Sequence, residues 1–267
     1  MRVSYTLARP SQPAQDGPSV AALDIDVNPL ILIPARMAAT RLPGKPLADI
    51  GGAAMIVRAW RQAAASGLPV AVAAGDPEIV AVIEAAGGVA VLTDPDLPSG
   101  SDRIRAALDA IDPEGRHDAV INLQGDMPFA DPGLARSCAD LLAAESACDI
   151  ATLVAREADI ADRTNPDVVK AVVAMEPEAR HGRALYFTRS TLYGDGPVWR
   201  HIGLYGYRRA ALERFCAAPP SPLERREKLE QLRALEMGLQ IWAAVIDEAP
   251  LSVDNPDDLA AARALAG

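Results

Sequence analysis

Cysteine, histidine and aromatic residues are all scarce in this 267-residue chain, which has three Cys, three His and 4% Phe, Trp and Tyr. The cysteines, Cys138, Cys148 and Cys216, are odd in number and form no CxxC pair. That excludes a disulfide scaffold or a cysteine metal knuckle and leaves reduced packing residues of a cytosolic protein. No uncharged apolar run approaches the ~18 residues of a membrane span, and the N-terminal stretch lacks the apolar core of a secretory signal. Basic charge is short as well: a formal net charge of -10 excludes the broad positive surface that nucleic acids or anionic membranes require. Neither GxxxxGK[ST] nor GxGxxG occurs, and no repeat or low-complexity tract appears beyond an alanine bias.

What is present is a chain that is half apolar, long enough to bury a sizeable core. Residues 1–28, with their Pro, Gly, Gln and Ser, read as a flexible leader. From Leu30 onward, short apolar runs alternate with helical patterns at βαβ spacing, which predicts a parallel sheet covered by helices. Expected strands are LILIPA, PVAVAAG, VAVL and DAVINLQGD; expected helices run from Met55 to Ala65, from Pro77 to Gly87, and onward from Ser99-Gly100-Ser101-Asp102. After Asp149 the pattern turns β-like (IATLVA, VVKAVVAM, ALYFT, WRHIGLYGY), followed by a Pro-rich turn and one charged helix from about Glu224 to Gly238. The strand IWAAVI and a helix started by Asn255-Pro256 complete the chain.

Arg36, Arg41 and Lys45 fall within ten residues of one another, directly after the first strand and among Pro34, Pro43, Gly44 and Pro46. Proline fixes φ and restricts the preceding residue, so these cations need less ordering on binding. Arginine forks match phosphate oxygens and lysine adds a mobile point charge, so the loop suits a polyphosphate. Asp126, at the carboxyl end of DAVINLQGD, belongs to the same side of an open α/β sheet, where ligands gather.

The stretch IPARMAATRLPGKPL resembles the opening signature of the 3-deoxy-D-manno-octulosonate (Kdo) cytidylyltransferases, the CMP-Kdo synthetases of lipopolysaccharide synthesis. PSGSDR, VINLQGDMP, NPDVVKAVV, ALYFTRS, RHIGLYGYR, SPLERREKLEQLR and SVDNPDDL follow in that family's order, so the resemblance covers nearly everything from Leu30 onward. It implies an α/β fold with a three-layer, mostly parallel, Rossmann-like nucleotidyltransferase sheet. Residues 29–267 would form a single cytidylyltransferase domain, with 150–240 as an inserted β-rich region for sugar binding, dimerisation or lid closure. It also implies transfer of CMP from CTP to the anomeric hydroxyl of Kdo with loss of pyrophosphate, a Mg²⁺ cofactor, a homodimer and a cytoplasmic location, with CTP and an acidic keto sugar as partners and neither nucleic acid nor membrane.

Matched residue by residue, the resemblance assigns Asp126 and Asp254 to the metal, and Arg36, Arg41 and Lys45 to the triphosphate. Pro34, Ala35, Ser99, Gly100 and Arg103 would enclose the nucleotide. Gln124, Arg189, His201, Tyr205, Glu230 and Gln231 would hold the sugar, whose carboxylate and hydroxyls call for a cation plus mixed donors and acceptors. Each has a plainer reading: Ser99 as a helix cap, Asp254 as a turn residue, His201 as a core histidine, Glu230 and Gln231 as a solvated helix face. The chain departs from the family pattern at Met127, where QGDEP is usual, at Pro98-Ser-Gly-Ser-Asp102, where QSGTE is usual, and at Gly75 in place of the threonine of ATD. The loop after ALYFTRS is also shorter than usual. These departures leave open an amino-substituted Kdo, a sialate-like acceptor, or a nucleotide-binding module without catalysis.

Overall fold

The computed structural model describes residues 27–38, 42–157, 163–194 and 196–267. Most of the proposed leader and Arg41 lie outside the described residues. The first half follows the anticipated alternation: β1 (Pro29–Ala35), the short β2 (Asp49–Ile50) and β3 (Ala53–Ala54), α1 (Met55–Ala65), β4 (Val70–Ala74), α2 (Pro77–Ala85), β5 (Ala90–Leu92), α3 (Gly100–Ile111), β6 (Ala119–Asn122) and α4 (Gly133–Ala144). Local chemistry sets these limits. Gly67, at φ 76°, supplies the left-handed turn after α1, Pro77 occupies the first turn of α2, and the Ser99 hydroxyl caps α3 by accepting from Asp102 N.

The second half contains β7 (Ile150–Glu157), β8 (Lys170–Ala174), β9 (His181–Thr188), β10 (Val198–Arg208), α5 (Arg209–Ala217), α6 (Pro222–Glu227), α7 (Gln231–Glu236), β11 (Ile241–Ile246) and α8 (Pro256–Ala266). Three expectations need correction. The sheet is mixed rather than mostly parallel: its order is β5-β4-β1-β6-β10-β7-β11-β9-β8, with β5, β4, β1 and β6 parallel, and β10 antiparallel to both β6 and β7. The β-rich segment is built into this sheet instead of standing outside it, because β10 docks beside β6. The helix expected over 224–238 is two helices, broken at Lys228, which takes φ 55°. α5 was not expected, because it follows the strand run of β10 with no glycine or proline between them.

Beyond β10 the sheet curls. Trp199 and Arg200 pair with Ala171 and Lys170, so β10, β7, β11, β9 and β8 close into a ring. Alternation along the strands divides the core. Ile31, Ile33, Val72 and Ile121 pack with α1, α2 and α4 on one face; Leu30, Leu32, Val120 and Ile150 pack with α3, α5 and α7 on the other. Burying each such aliphatic side chain is worth roughly 1.5–3 kcal/mol. A smaller cluster of Ile50, Met55, Val253, Leu259 and Ala262 fixes α8 against the segment that follows the cationic loop.

Candidate active site

β1 and β6 pair from Pro29 to Leu32 and then part. Leu32 O still accepts from Leu123 N at 3.3 Å; two residues later, on the same side of the strand, Pro34 has no ladder partner from β6, so its missing N–H costs no sheet bond. β1 is also where the strand order reverses, with β4 on one side and β6 on the other, the position at which open α/β sheets bind ligands. The resulting cleft has a volume of about 310 Å³ and is lined by Pro34, Ala35, Arg36, Lys45, Ser99, Gly100, Arg103, Gln124, Gly125, Asp126 and Asp254, among others.

The cationic loop is held from both ends. Met37 N donates to the Asp76 carboxylate at 2.7 Å, and Gly44, at φ 69°, makes the turn into the 3-10 turn that begins at Lys45. Lys45 Nζ then lies 2.8 Å from Asp126 Oδ2 and 3.3 Å from Asp254 Oδ1. The two aspartate loops are joined by a backbone bond, Val253 N to Asp126 O at 2.9 Å. Asp254 precedes the α8 capping box, in which Asp258 accepts from the amides of Asp254 and Asn255. Two carboxylates from distant segments thus face one cation at the cleft.

Arg36 is exposed, whereas Arg103 is 2% exposed. Arg103 donates to Thr93 Oγ1 at 2.7 Å, Asp94 O at 2.9 Å and Pro95 O at 3.2 Å, fixing the loop after β5. Burial, and secondarily the charge of Arg36, lower its pKa from the usual guanidinium value, while Asp76 and Asp94 oppose them. A Cβ on Gly75 would stand 2.7 Å from Arg103 Nη1 and 3.2 Å from Arg36 Cβ, so glycine at this position makes room for both arginines. Met127 is 5% exposed and belongs to the core; the residue that replaces the family's glutamate is a packing residue.

The sugar candidates fall into three places. Gln124 is in the cleft and donates to Asn122 Oδ1 at 3.0 Å. Asn122 pairs in register with Tyr205, whose ring is 5.3 Å from that of His201. Glu230 and Gln231 start α7, and Glu230 accepts from Ser101 Oγ at 3.1 Å, which ties α7 to the start of α3. Burial raises the Glu230 pKa and also pushes that of Tyr205 well above the tyrosine value. Gln231 is 7% exposed, so this side of α7 faces inward. A second cavity of about 560 Å³ adjoins at Ser99 and is lined by Glu224, Lys228, Glu230 and Arg233. Arg189, just past β9, donates to the carbonyls of Pro166 and Asp167 at 3.1 and 3.5 Å.

Sequence reasoning missed several supporting residues. Asp76 looked like a cap for α2, yet its side chain makes no capping bond there and serves the cationic loop instead. Thr152 and Lys170, both 0% exposed, sit in apolar strand runs where a lone polar residue was the available signal. Among the described residues the cysteines are free, and burial raises Cys148 and Cys216 to about 12. No helix among the described residues is long and apolar enough to cross a membrane.

This fold, with a cation loop and paired carboxylates at the switch point, defines the class of α/β nucleotidyltransferases. The sequence pattern of one family, described as cytidylyltransferase, matches residues 30–241. The chain is 57% identical over 246 residues to the 3-deoxy-manno-octulosonate cytidylyltransferase of Parvibaculum lavamentivorans, covering 91% of this chain and 95% of that one. It is 60% identical over 240 residues to the enzyme of the same name from Methylobacterium nodulans, covering 89% and 96%. A solved structure of CMP:2-keto-3-deoxy-manno-octonic acid synthetase complexed with CTP superposes with a TM-score of 0.81 at 34% identity, over 89% of this chain and 97% of that one. A cytidylyltransferase from Leptospira borgpetersenii, at 15% identity and a TM-score of 0.58, over 89% of this chain and 86% of that one, shares the fold. The chain belongs to the 3-deoxy-manno-octulosonate cytidylyltransferase family.

Proposed function

We propose that the protein transfers CMP from CTP to the anomeric hydroxyl of Kdo, releasing pyrophosphate and supplying CMP-Kdo for lipopolysaccharide synthesis. The observation that carries the mechanism is the meeting of Lys45 with Asp126 and Asp254 at the switch-point cleft. Phosphoryl-type transfer is mostly positioning and charge neutralisation. Arg36, Arg41 and Lys45 neutralise the triphosphate, Ser99 and Gly100 border the nucleotide, and Arg103 keeps the neighbouring loop in place.

Asp126 and Asp254 fit a hard divalent ion, which takes one or two carboxylates and keeps several waters; both approach a single positive centre, and their side chains are 22% and 43% exposed. Asp126 and Asp254 would hold such an ion, and Mg²⁺ there would supply positive charge against the triphosphate and Lewis acidity towards the sugar hydroxyl. Gln124, His201, Tyr205, Glu230 and Gln231 surround the acceptor, and Arg189 is the cation assigned to its carboxylate. A homodimer in the cytoplasm completes the reading; Leu185 and Tyr193, 45% and 94% exposed, support a contact surface on the segment from Leu185 to Gly238.

The test is phosphate release in a pyrophosphatase-coupled assay with CTP, Mg²⁺ and a panel of Kdo, 8-amino-Kdo and N-acetylneuraminate. Fastest release with Kdo is expected. Preference for another sugar would reassign the acceptor, and CTP binding without release for any of them would make the protein a nucleotide-binding module.

A further inference from the structure

β10 carries a bulge between Ile202 and Tyr205 opposite β7, and Thr152 of β7 pairs with Tyr205 at its far side. The Thr152 side chain is fully buried. Its hydroxyl lies 3.0 Å from His201 Nε2, 3.2 Å from Ile202 O and 2.9 Å from Leu204 O. A hydroxyl has one proton, and a carbonyl oxygen can only accept. Were that proton given to His201, the hydroxyl lone pairs would face two carbonyl oxygens at hydrogen-bond distance. The favourable arrangement sends it to the bulge carbonyls, so the hydroxyl accepts and Nε2 must carry a hydrogen.

Burial, the sole cause acting on this ring, pushes His201 down to about 3, so the imidazole is neutral and has one N–H. With that N–H committed to Thr152, Nδ1 is a bare lone pair, and it meets no hydrogen-bond partner among the described residues. The ring is held by an edge contact to Phe187 at 4.9 Å and by Tyr205 at 5.3 Å. The same bulge places Tyr205 beside Asn122, which holds the cleft residue Gln124.

We propose that Thr152 is a positioning residue that pins His201 as its Nε2–H tautomer, so that Nδ1 accepts a hydrogen bond from a hydroxyl of the acidic sugar. This rests on the transferase reading above and adds to it a residue outside the motifs. Which ring nitrogen bears the proton is set by the bond the other partner makes, and a sugar hydroxyl, a ready donor, needs an acceptor that does not titrate in the working range.

The experiment has two arms. In ¹⁵N-labelled wild-type protein at neutral pH, two-bond ¹H–¹⁵N correlations assigned with a His201→Gln variant should show Nε2 protonated and Nδ1 bare. In steady-state assays, Thr152→Val should raise KM for Kdo about tenfold, the worth of one hydrogen bond at the upper end of the usual range, with KM for CTP unchanged. Thr152→Ser, which keeps the hydroxyl, should stay near wild type. A wild-type ring protonated at Nδ1 overturns the pinning, and needs no variant to fold. Equal acceptor KM for the Val and Ser variants overturns the positioning role. Absence of turnover with every acidic sugar, alongside an Nε2–H ring, overturns the transferase reading and the acceptor role together while the tautomer assignment stands.

Discussion

Asp126 and Asp254 show how residue-level identity and residue-level geometry differ as information. Each alone is an ordinary turn aspartate; only their common approach to Lys45 gives them a joint role. Asp126→Asn keeps shape and removes one charge from that group, so kcat should fall by about 10²–10³, the scale of removing one preorganised electrostatic partner. Its thermal unfolding midpoint should stay near wild type, because the side chain is partly solvated. Coupled pyrophosphate assays and a circular-dichroism melt check both halves; near-normal turnover would remove the carboxylate from the mechanism. That Arg36, Lys45, Asp126 and Asp254 line one cleft was legible in the sequence because each sits in a contiguous motif at the end of a strand run. Asp76 and Thr152 were not, because their partners, Met37 N and the carbonyls of β10, are backbone atoms that no side-chain pattern records.

Among the elements, the junctions were the hardest to read. A continuous charged run suggested one helix where α6 and α7 stand, yet Lys228 turns left-handed between them. That turn lets Glu224 of α6 meet Arg233 of α7 through two bonds of 2.8 and 2.7 Å, with the guanidinium also 4.5 Å from the centre of the Phe215 ring. Lys228→Gly should therefore be tolerated, whereas Lys228→Val, whose β-branch resists positive φ, should cost about 1–2 kcal/mol in urea unfolding.

At the other junction, Asp112 ends α3 and is bonded by the amides of Arg116 and His117 and by Arg209 at the start of α5. Its burial opposes the charge, but these donors prevail and hold its pKa down from 3.8 to about 2. A depressed carboxylate binds fewer protons folded than unfolded, so its contribution is present above pH 3.8 and lost as pH falls through about 2. Asp112→Asn should flatten the stability profile in that window and lower stability at neutral pH by about 1.5–3 kcal/mol, as for a lost charged hydrogen bond. Unfolding curves across pH would show either result.

For the molecule as a whole, periodicity identified the first seven major elements, β1, α1, β4, α2, β5, α3 and β6, since each strand and helix there is separated by glycine or proline. It could not say that β10 would insert beside β6 and turn a parallel sheet into a mixed one, because strand order depends on packing between distant segments rather than on local pattern. Assembly is a property of this same scale. Sedimentation velocity should give the mass of two chains, with Tyr193→Asp and Leu185→Asp together shifting the boundary towards one; a wild-type monomer would end the homodimer proposal without touching the cleft.

The ring formed where β8 reaches back to β10 has a consequence for behaviour at high concentration. A sheet that closes on itself at one end leaves few unpaired amides there for a stray polypeptide to recruit. Among the described residues the open margin of this nine-stranded sheet is β5, three residues long, with its own Leu92 and the preceding Val89 uncovered. Intermolecular strand addition to this sheet, and the fibrils or gels that begin with it, would start on that short lip.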